Sequence, residues 1–179
     1  STTGTIGITV LSDTSNENDE TVTMTLSSAT NATISDSTGT FTITDDDSGP
    51  TVQLSVNDSN TTENSANNPI ITATLSATTF ETVTIGISTS GTAIEGTDYS
   101  DDGGTSLLND IIITAGNTTG TVTFNPTTDT VCEINNETAT ISIGSISGGG
   151  ASIYNGSQSV SITITEPDEF VCGIQTTYS

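Results

Sequence analysis

Six stretches of the chain alternate apolar residues with Thr, Ser or Gly at a strict period of two. They are residues 21–26, 39–44, 83–87, 121–124, 139–143 and 160–164. Successive side chains of a β-strand point to opposite faces, so each stretch predicts a strand with one buried face and one hydroxyl-rich face. Gly, Asn, Asp and Ser clusters separate the stretches, as turns require. The pattern predicts an all-β protein, an antiparallel β-sandwich, without helical stretches.

The chain also contains an internal repeat of roughly 120 residues. Residues 17–26 return as 133–143 and residues 39–47 return as 158–168, with offsets of 117 (Glu20 to Glu137) and 121 (Thr44 to Thr165). About three strands cannot close a sandwich, so a partial unit would expose its apolar face. The predicted organisation is a C-terminal part of one repeat over 1–47, which is truncated or completed by another chain, a junction at 48–50, a complete unit over 51–168, and a tail or donated strand at 169–179.

The charge composition excludes several classes of function. The 179 residues include no Lys, Arg or His, and the formal net charge is −22. Nucleic-acid binding needs Lys or Arg against phosphate, so no nucleic-acid partner is expected. Imidazole bases, Schiff bases and His-based zinc sites are excluded as well. A carboxylate-pair glycosidase would need aromatic platforms, but the chain has no Trp and only seven aromatic residues, so an enzyme is not expected.

The rest of the composition favours an extracellular or cell-surface location. No run of about 20 apolar residues occurs, so membrane insertion is not expected. Abundant Ser and Thr, high acidity and two Cys fit a secreted, solvated protein. The chain begins at Ser1, so we expect a processed product or a piece of a longer protein. Glycan modification stays open: six Asn-X-Ser/Thr sequons occur, at Asn31, Asn57, Asn60, Asn117, Asn136 and Asn155, but the high Ser and Thr content produces about that number by chance.

Four short motifs, in order and spacing, resemble the Calx-β repeat family. An acidic residue, Glu63, follows a first strand at 51–56. A mid-domain turn reads Gly96-Thr97-Asp98-Tyr99. An acidic segment before a strand covers 17–21, and more loosely 133–138. A closing strand ends in acidic residues at 43–47, and more loosely at 164–168. The resemblance covers nearly all of residues 4–168.

The resemblance implies an Ig-like antiparallel sandwich of seven strands that binds Ca²⁺ at one pole. Apart from two Cys, which cannot make a Cys₄ zinc site alone, oxygen donors are the side-chain metal ligands left to this chain, and they suit Ca²⁺ or Mg²⁺. The implied ligands of the complete unit are Glu63, Asp98, Asp129, Glu133, Glu137, Glu166 and Asp168. In the partial unit they are Asp13, Glu17, Glu20, Asp45, Asp46 and Asp47. The same topology places Cys132 and Cys172 near this pole, where an intrachain disulfide, an interchain disulfide and free thiols all remain open.

These features together predict a secreted structural protein. It would be a segment or subunit of an extracellular fibre, adhesin stalk or surface coat, built head-to-tail from such sandwiches and stiffened by calcium. Its partners would be copies of itself or adjacent repeats. The first alternative is a calcium-dependent binding module, for a sugar or a receptor, within a larger extracellular protein. The second is a calcium-sensing domain whose stiffness reports the ion level. A fold shared with a family bears on function only by analogy.

Overall fold

A computed structural model describes residues 3–63, 65, 68–101, 108–128, 136–156 and 158–165. The regular structure in these ranges is β-strand, and the all-β prediction is confirmed. The strands are β1 (Glu20–Thr25), β2 (Thr38–Ile43), β3 (Thr51–Val56), β4 (Asn60–Thr62), β5 (Ile70–Leu75), β6 (Val83–Gly91), β7 (Tyr99–Ser100), β8 (Ile111–Ile113), β9 (Thr119–Thr123), β10 (Asn125–Pro126), β11 (Glu137–Ser147), β12 (Ser152–Ile153) and β13 (Ser159–Thr165). The predicted tail at 169–179, with Cys172, and also Cys132, lie outside the described residues.

The described strands between residues 51 and 165 form a sandwich of two main sheets, and β7 and β10 form a separate sheet of two strands. One sheet has the strand order β4-β13-β11-β6-β8 and the other has β12-β3-β5-β9. Alternation places the apolar side chains of each strand between the sheets, as in β5, where Ile71, Ala73 and Leu75 are buried. Tyr99 and Phe124 stack in the core with their ring centroids 4.5 Å apart. Thr and Ser occupy most outward positions, so the outer faces carry hydroxyl groups.

The strand pairing differs from a purely antiparallel sandwich of seven strands at two edges. β4 pairs with β13 in parallel, and β12 pairs with β3 in parallel. Both edge strands are short, two or three residues long. β4 belongs to a segment that starts in one sheet as β3 and crosses to the edge of the other. These short additions raise the strand count above seven, and they cap edges that would otherwise be open.

The N-terminal hairpin of β1 and β2 repeats the hairpin of β11 and β13, pair for pair. Thr21 pairs with Thr42 and Val22 with Phe41 in the first hairpin. The offsets of 117 and 121 convert these pairs into Thr138–Thr163 and Ala139–Ile162, which are the pairs of the second hairpin. All six registered pairs of β1 and β2 match in this way. The repeat found in the sequence is therefore a repeat of structure, although the predicted domain boundaries stay predictions.

The junction between the hairpin and the sandwich is a close backbone contact. A Cβ placed on Gly49 would lie 2.0 Å from the carbonyl oxygen of Gly150, so only glycine fits there. Ser152 N donates to the carbonyl of Pro50 at 3.0 Å. Asn18 Nδ2 donates to Glu81 Oε1 at 3.5 Å across the same junction. Residues 48–50 therefore pack against the loop that begins at the end of β11.

Candidate functional site

Two of the predicted calcium ligands, Glu63 and Asp98, are carboxylates in the interior of the complete unit. Glu63 follows β4 and Asp98 precedes β7, and their exposed fractions are 5% and 3%. Residues 127 and 128, after β10, bind both backbones. Thr128 Oγ1 donates to the carbonyl of Glu63 at 2.9 Å, and Thr127 N donates to the carbonyl of Asp98 at 2.8 Å. The structure therefore gathers three separate segments around this pair of residues.

The turn that carries Asp98 is closed by its own carboxylate. Asp98 Oδ2 accepts the N–H of Ile94 at 2.5 Å, and the Asp98 N–H donates back to the carbonyl of Ile94 at 2.9 Å. Gly96 has a φ of +83°, a conformation that side chains with a Cβ rarely adopt. Tyr99 then enters the core, where burial raises the pKa of its hydroxyl. The Gly96–Tyr99 motif thus has a structural reason apart from any metal.

Two further acidic residues, Glu95 and Asp101, belong to this region and were missed by sequence reasoning. Glu95 Oε1 accepts the N–H of Leu108 at 2.6 Å, and its Oε2 accepts Thr89 Oγ1 at 2.8 Å. Asp101 is buried and its Oδ2 accepts a hydrogen bond from Asn109 Nδ2. Their positions in the sequence could have identified them, because Glu95 directly precedes the Gly96–Tyr99 motif and Asp101 follows it by two residues. The motif itself identified only Asp98.

The carboxylate oxygens at this pole are the type of donor atom that binds a hard cation. Glu63, Asp98 and Asp101 are three buried carboxylates in a chain without any cationic side chain. Burying a carboxylate is costly without a compensating charge or hydrogen bonds. Oxygen donors of this type are those that Ca²⁺ prefers. Within the described ranges, however, no three acidic side chains come close enough together to hold a metal ion.

Only some of the implied ligands can be placed. Glu137 begins β11 and pairs with Ile164, at the end of the sandwich away from the junction. Four others lie outside the described residues: Asp129, Glu133, Glu166 and Asp168. The predicted ligand set of the complete unit therefore stays a prediction.

A second acidic group lies beside the N-terminal hairpin. We call it the N-terminal acidic cluster, and its members are Asp13, Glu17, Glu20, Asp45, Asp46 and Asp47, which line one open groove. Asn16 crosses the cluster, because its Nδ2 donates to Asp45 Oδ2 at 3.1 Å and to the carbonyl of Asp47 at 3.0 Å. Asp19 Oδ1 accepts the N–H of Asp45 at 3.0 Å. Backbone and amide groups thus hold the carboxylates near each other.

Mutual repulsion raises two pKa values in the cluster. The pKa of Glu17 lies above its ordinary 4.5, first because of the negative charge of Asp13 and then because of partial desolvation and of Glu20, Asp45 and Asp47. The pKa of Asp47 lies above its ordinary 3.8, first because of desolvation and then because of Asp45, Asp46 and Asp13. The cluster therefore opposes the fold of the hairpin when it is fully ionised.

Acidification should therefore stabilise the N-terminal hairpin. A folded pKa above the unfolded value means that the folded state binds protons more tightly, so stability falls as the pH rises from 4.5 or 3.8 through the raised folded value. Asp13→Asn should lower the pKa of Glu17, because Asp13 contributes most to its shift. Carboxyl titration by NMR measures this. Asp36→Asn, outside the cluster, is the control, and an unchanged Glu17 midpoint in Asp13→Asn would contradict the assignment.

Comparison with known proteins decides the family. The model of the Calx-beta domain matches residues 1–47 and 45–168. The chain belongs to the Calx-beta family. The resemblance seen in the sequence motifs is thereby confirmed. No curated protein sequence matches the chain well enough to count as a relative.

Membership gives this Calx-beta chain a coarse functional frame. The domain is a β-sandwich module, and the family is generally linked to calcium-binding proteins. Calx-beta domains occur in the extracellular regions of membrane and surface proteins. The part of this chain that the structure describes contains no helix that could cross a membrane.

Proposed function

We propose that this Calx-beta chain is a secreted structural protein, a segment or subunit of an extracellular fibre, adhesin stalk or surface coat. Its sandwiches would be joined head-to-tail, and its partners would be copies of itself or adjacent repeats. The observation that carries the proposal is the duplicated hairpin: β1–β2 and β11–β13 share all six registered pairs and follow one another along the chain. Serial repetition of one unit is how extended proteins are built.

The junction supports a stiff connection between successive units. Gly49 and Gly150 are in backbone contact, and Pro50 accepts a hydrogen bond from Ser152. A linker held by such contacts restricts the angle between the units that it joins. A Gly- and Ser-rich flexible linker would behave as a random coil instead. Force applied along the chain would therefore pass through a defined joint.

The surface chemistry suits a protein exposed to an external medium. The outward side chains of β1 and β2 are all threonine at six positions: Thr21, Thr23, Thr25, Thr38, Thr40 and Thr42. The net charge of −22 adds uniform repulsion between molecules away from specific contacts. Both features favour solubility and oppose non-specific association.

Calcium would bind at the pole that carries Glu63 and Asp98. Asp129, Glu133, Glu137, Glu166 and Asp168 would complete its ligands by family analogy. Bound calcium would supply the positive charge that the side chains of this chain lack, and would tie loops of different strands together. In the N-terminal hairpin the acidic cluster would serve the same purpose. Stiffening, rather than catalysis, is the proposed consequence, and no enzymatic activity is proposed.

Electron microscopy of the purified chain tests this function. Samples in millimolar calcium and in chelator are compared at equal ionic strength, with magnesium as a control for charge screening. Filaments in calcium support a structural subunit, and their shortening or loss in chelator supports calcium at the joints. Isolated particles in every condition, together with tight binding to a glycan or receptor array only in calcium, would replace the proposal with the binding-module alternative.

A further inference from the structure

The apolar face of the N-terminal hairpin is open, whereas the same face of its duplicate is closed. In β11 and β13 the inward residues are buried, with exposed fractions of 0–3%: Ala139, Ile141, Ile162 and Ile164. The registered equivalents in β1 and β2 are only half-buried: Val22, Met24, Phe41 and Ile43. Because the two hairpins match pair for pair, the complete unit shows what the open face lacks.

Three elements cover the hairpin in the complete unit. β6 pairs with β11 along one edge, and β4 pairs in parallel with β13 along the other. The second sheet, which contains β3, packs on the inner face. Among the described residues, β1 and β2 form a sheet of two strands with both outer edges unpaired. The hairpin therefore presents a strand edge and an apolar face at the same place.

A groove runs along this face. It has a volume of about 580 Å³ and lies between the hairpin and the extended segment before it. Its apolar lining comes from Ile8, Val10, Leu11, Val22, Phe41 and Ile43, and the N-terminal acidic cluster forms its rim. Ile8, Val10 and Leu11 are exposed. An extended strand with apolar side chains and no acidic groups would fit such a groove, since the rim would repel an anionic one.

The sequence of this chain contains a segment with those properties. Residues 170–174 read Phe-Val-Cys-Gly-Ile, and residues 170–179 carry no charged side chain. The position also corresponds. β3 begins eight residues after Ile43, and eight residues after Ile164, the counterpart of Ile43, is Cys172. The segment therefore occupies the same sequence position after β13 that the start of β3 occupies after β2.

Thr165, the last described residue before the segment, lies at the opposite end of the sandwich from the groove. β11 begins at Glu137, which pairs with Ile164, and ends beside the loop at Gly150, which contacts Gly49 at the junction. Eleven residues of β11 span about 34 Å. Phe170 is the fifth residue after Thr165, and a fully extended chain of that length reaches at most about 18 Å, which is shorter than the span of β11; we therefore expect the segment not to fill the groove of its own chain.

We propose that residues 170–174 of a second copy of this chain bind in the groove as an added strand, which completes the N-terminal hairpin of the next molecule. Phe170, Cys172 and Ile174 alternate, and so they would face the apolar lining together. Because donor and acceptor lie at opposite ends, the contact is heterologous and does not close on itself, so it generates a linear polymer. This inference rests on the proposed function and specifies the contact that joins one molecule to the next.

Variants of the whole chain test this joint. Phe170→Asp with Ile174→Asp places charges on the inserting face, and Val171→Asp on the opposite face is the matched control. Sedimentation velocity and electron microscopy measure assembly against concentration. The double variant should raise the concentration for half-maximal assembly about 100-fold or more, since each buried apolar side chain contributes at least about a factor of ten. Val171→Asp should assemble within a few-fold of the unmodified chain.

A mixing experiment separates loss of binding from loss of folding. Phe41→Asp spoils the groove, and the circular dichroism of each variant checks that the complete unit remains folded. Neither Phe41→Asp nor the double tail variant should assemble alone. An equimolar mixture should form dimers and stop there, because one partner supplies an intact tail and the other an intact groove. A synthetic peptide of residues 170–178, which leaves out the acidic Asp168 and Glu169, should block assembly of the unmodified chain.

Each contrary outcome has a distinct meaning. If the unmodified chain polymerises and the double tail variant does so equally well, the tail does not fill the groove and only this inference fails. Dimers that are insensitive to tail changes but are lost in Phe41→Asp would mean that two hairpins pack face to face, which also overturns it. If the unmodified chain stays monomeric at every concentration and calcium level, the proposed structural function fails together with the joint.

Discussion

Phe124→Ala should lower the free energy of unfolding of the complete unit by about 3–5 kcal/mol, the largest effect expected of a single substitution in this chain. Phe124 is fully buried, follows β9 directly, and stacks on Tyr99 with a centroid distance of 4.5 Å. Its N–H also donates to the carbonyl of Pro69 at 2.8 Å, so the backbone there is fixed and cannot collapse into the cavity left by the ring.

Urea denaturation of the whole chain, followed by circular dichroism, measures this loss. Thr121→Ala is the control, because Thr121 lies on the same strand with an exposed side chain and pairs with Thr72. Its effect should stay within about 0.5 kcal/mol. A loss below about 1 kcal/mol in Phe124→Ala would mean that the two sheets repack, and that the stacked pair does not fix their separation.

The strands were predictable because the alternation of apolar and polar residues along the sequence reflects which side of each strand is buried. Each of the six alternating stretches became a strand, since a period of two places every Ile, Val or Phe on one side. The pairing partners of those strands were harder to predict from the sequence. The parallel pairs β4–β13 and β12–β3 depend on where the chain bends between sheets, and a three-residue strand such as Asn60–Thr62 has no pattern long enough to read.

The site was predictable only where a motif pointed to it. Glu63 and Asp98 were expected to converge, and residues 127–128 bind both backbones. Glu95 was missed because its role is to accept the backbone N–H of Leu108, thirteen residues away, and no local spacing encodes such a contact.

The N-terminal segment shows that an alternating pattern alone does not make a strand. Ile6, Ile8 and Val10 alternate like a strand, but they are exposed and form no strand in the structure. A strand needs a paired neighbour as well as a pattern.

Asp98→Asn should separate the structural role of this residue from its proposed role in binding calcium. The amide oxygen of asparagine can still accept the N–H of Ile94, so the turn at 94–98 should persist. The substitution removes a negative charge from a side chain that is 3% exposed in a chain without cationic side chains. Without calcium, the variant should therefore be at least as stable as the unmodified chain, because a buried charge with no opposite charge is costly.

Calcium should reverse that order. At a concentration 100 times its dissociation constant, a ligand that binds only the folded state stabilises it by about 2.7 kcal/mol. The unmodified chain should gain this amount in thermal or urea unfolding, and Asp98→Asn should lose most of it. Asp110→Asn changes an exposed carboxylate and should keep the full gain. Asp98→Ala is a poorer probe, because it leaves the N–H of Ile94 without its acceptor and destabilises the turn whether or not calcium binds. An equal calcium gain in Asp98→Asn and the unmodified chain would remove Asp98 from the ligand set and leave its hydrogen bond to Ile94 as the reason for an aspartate in this turn.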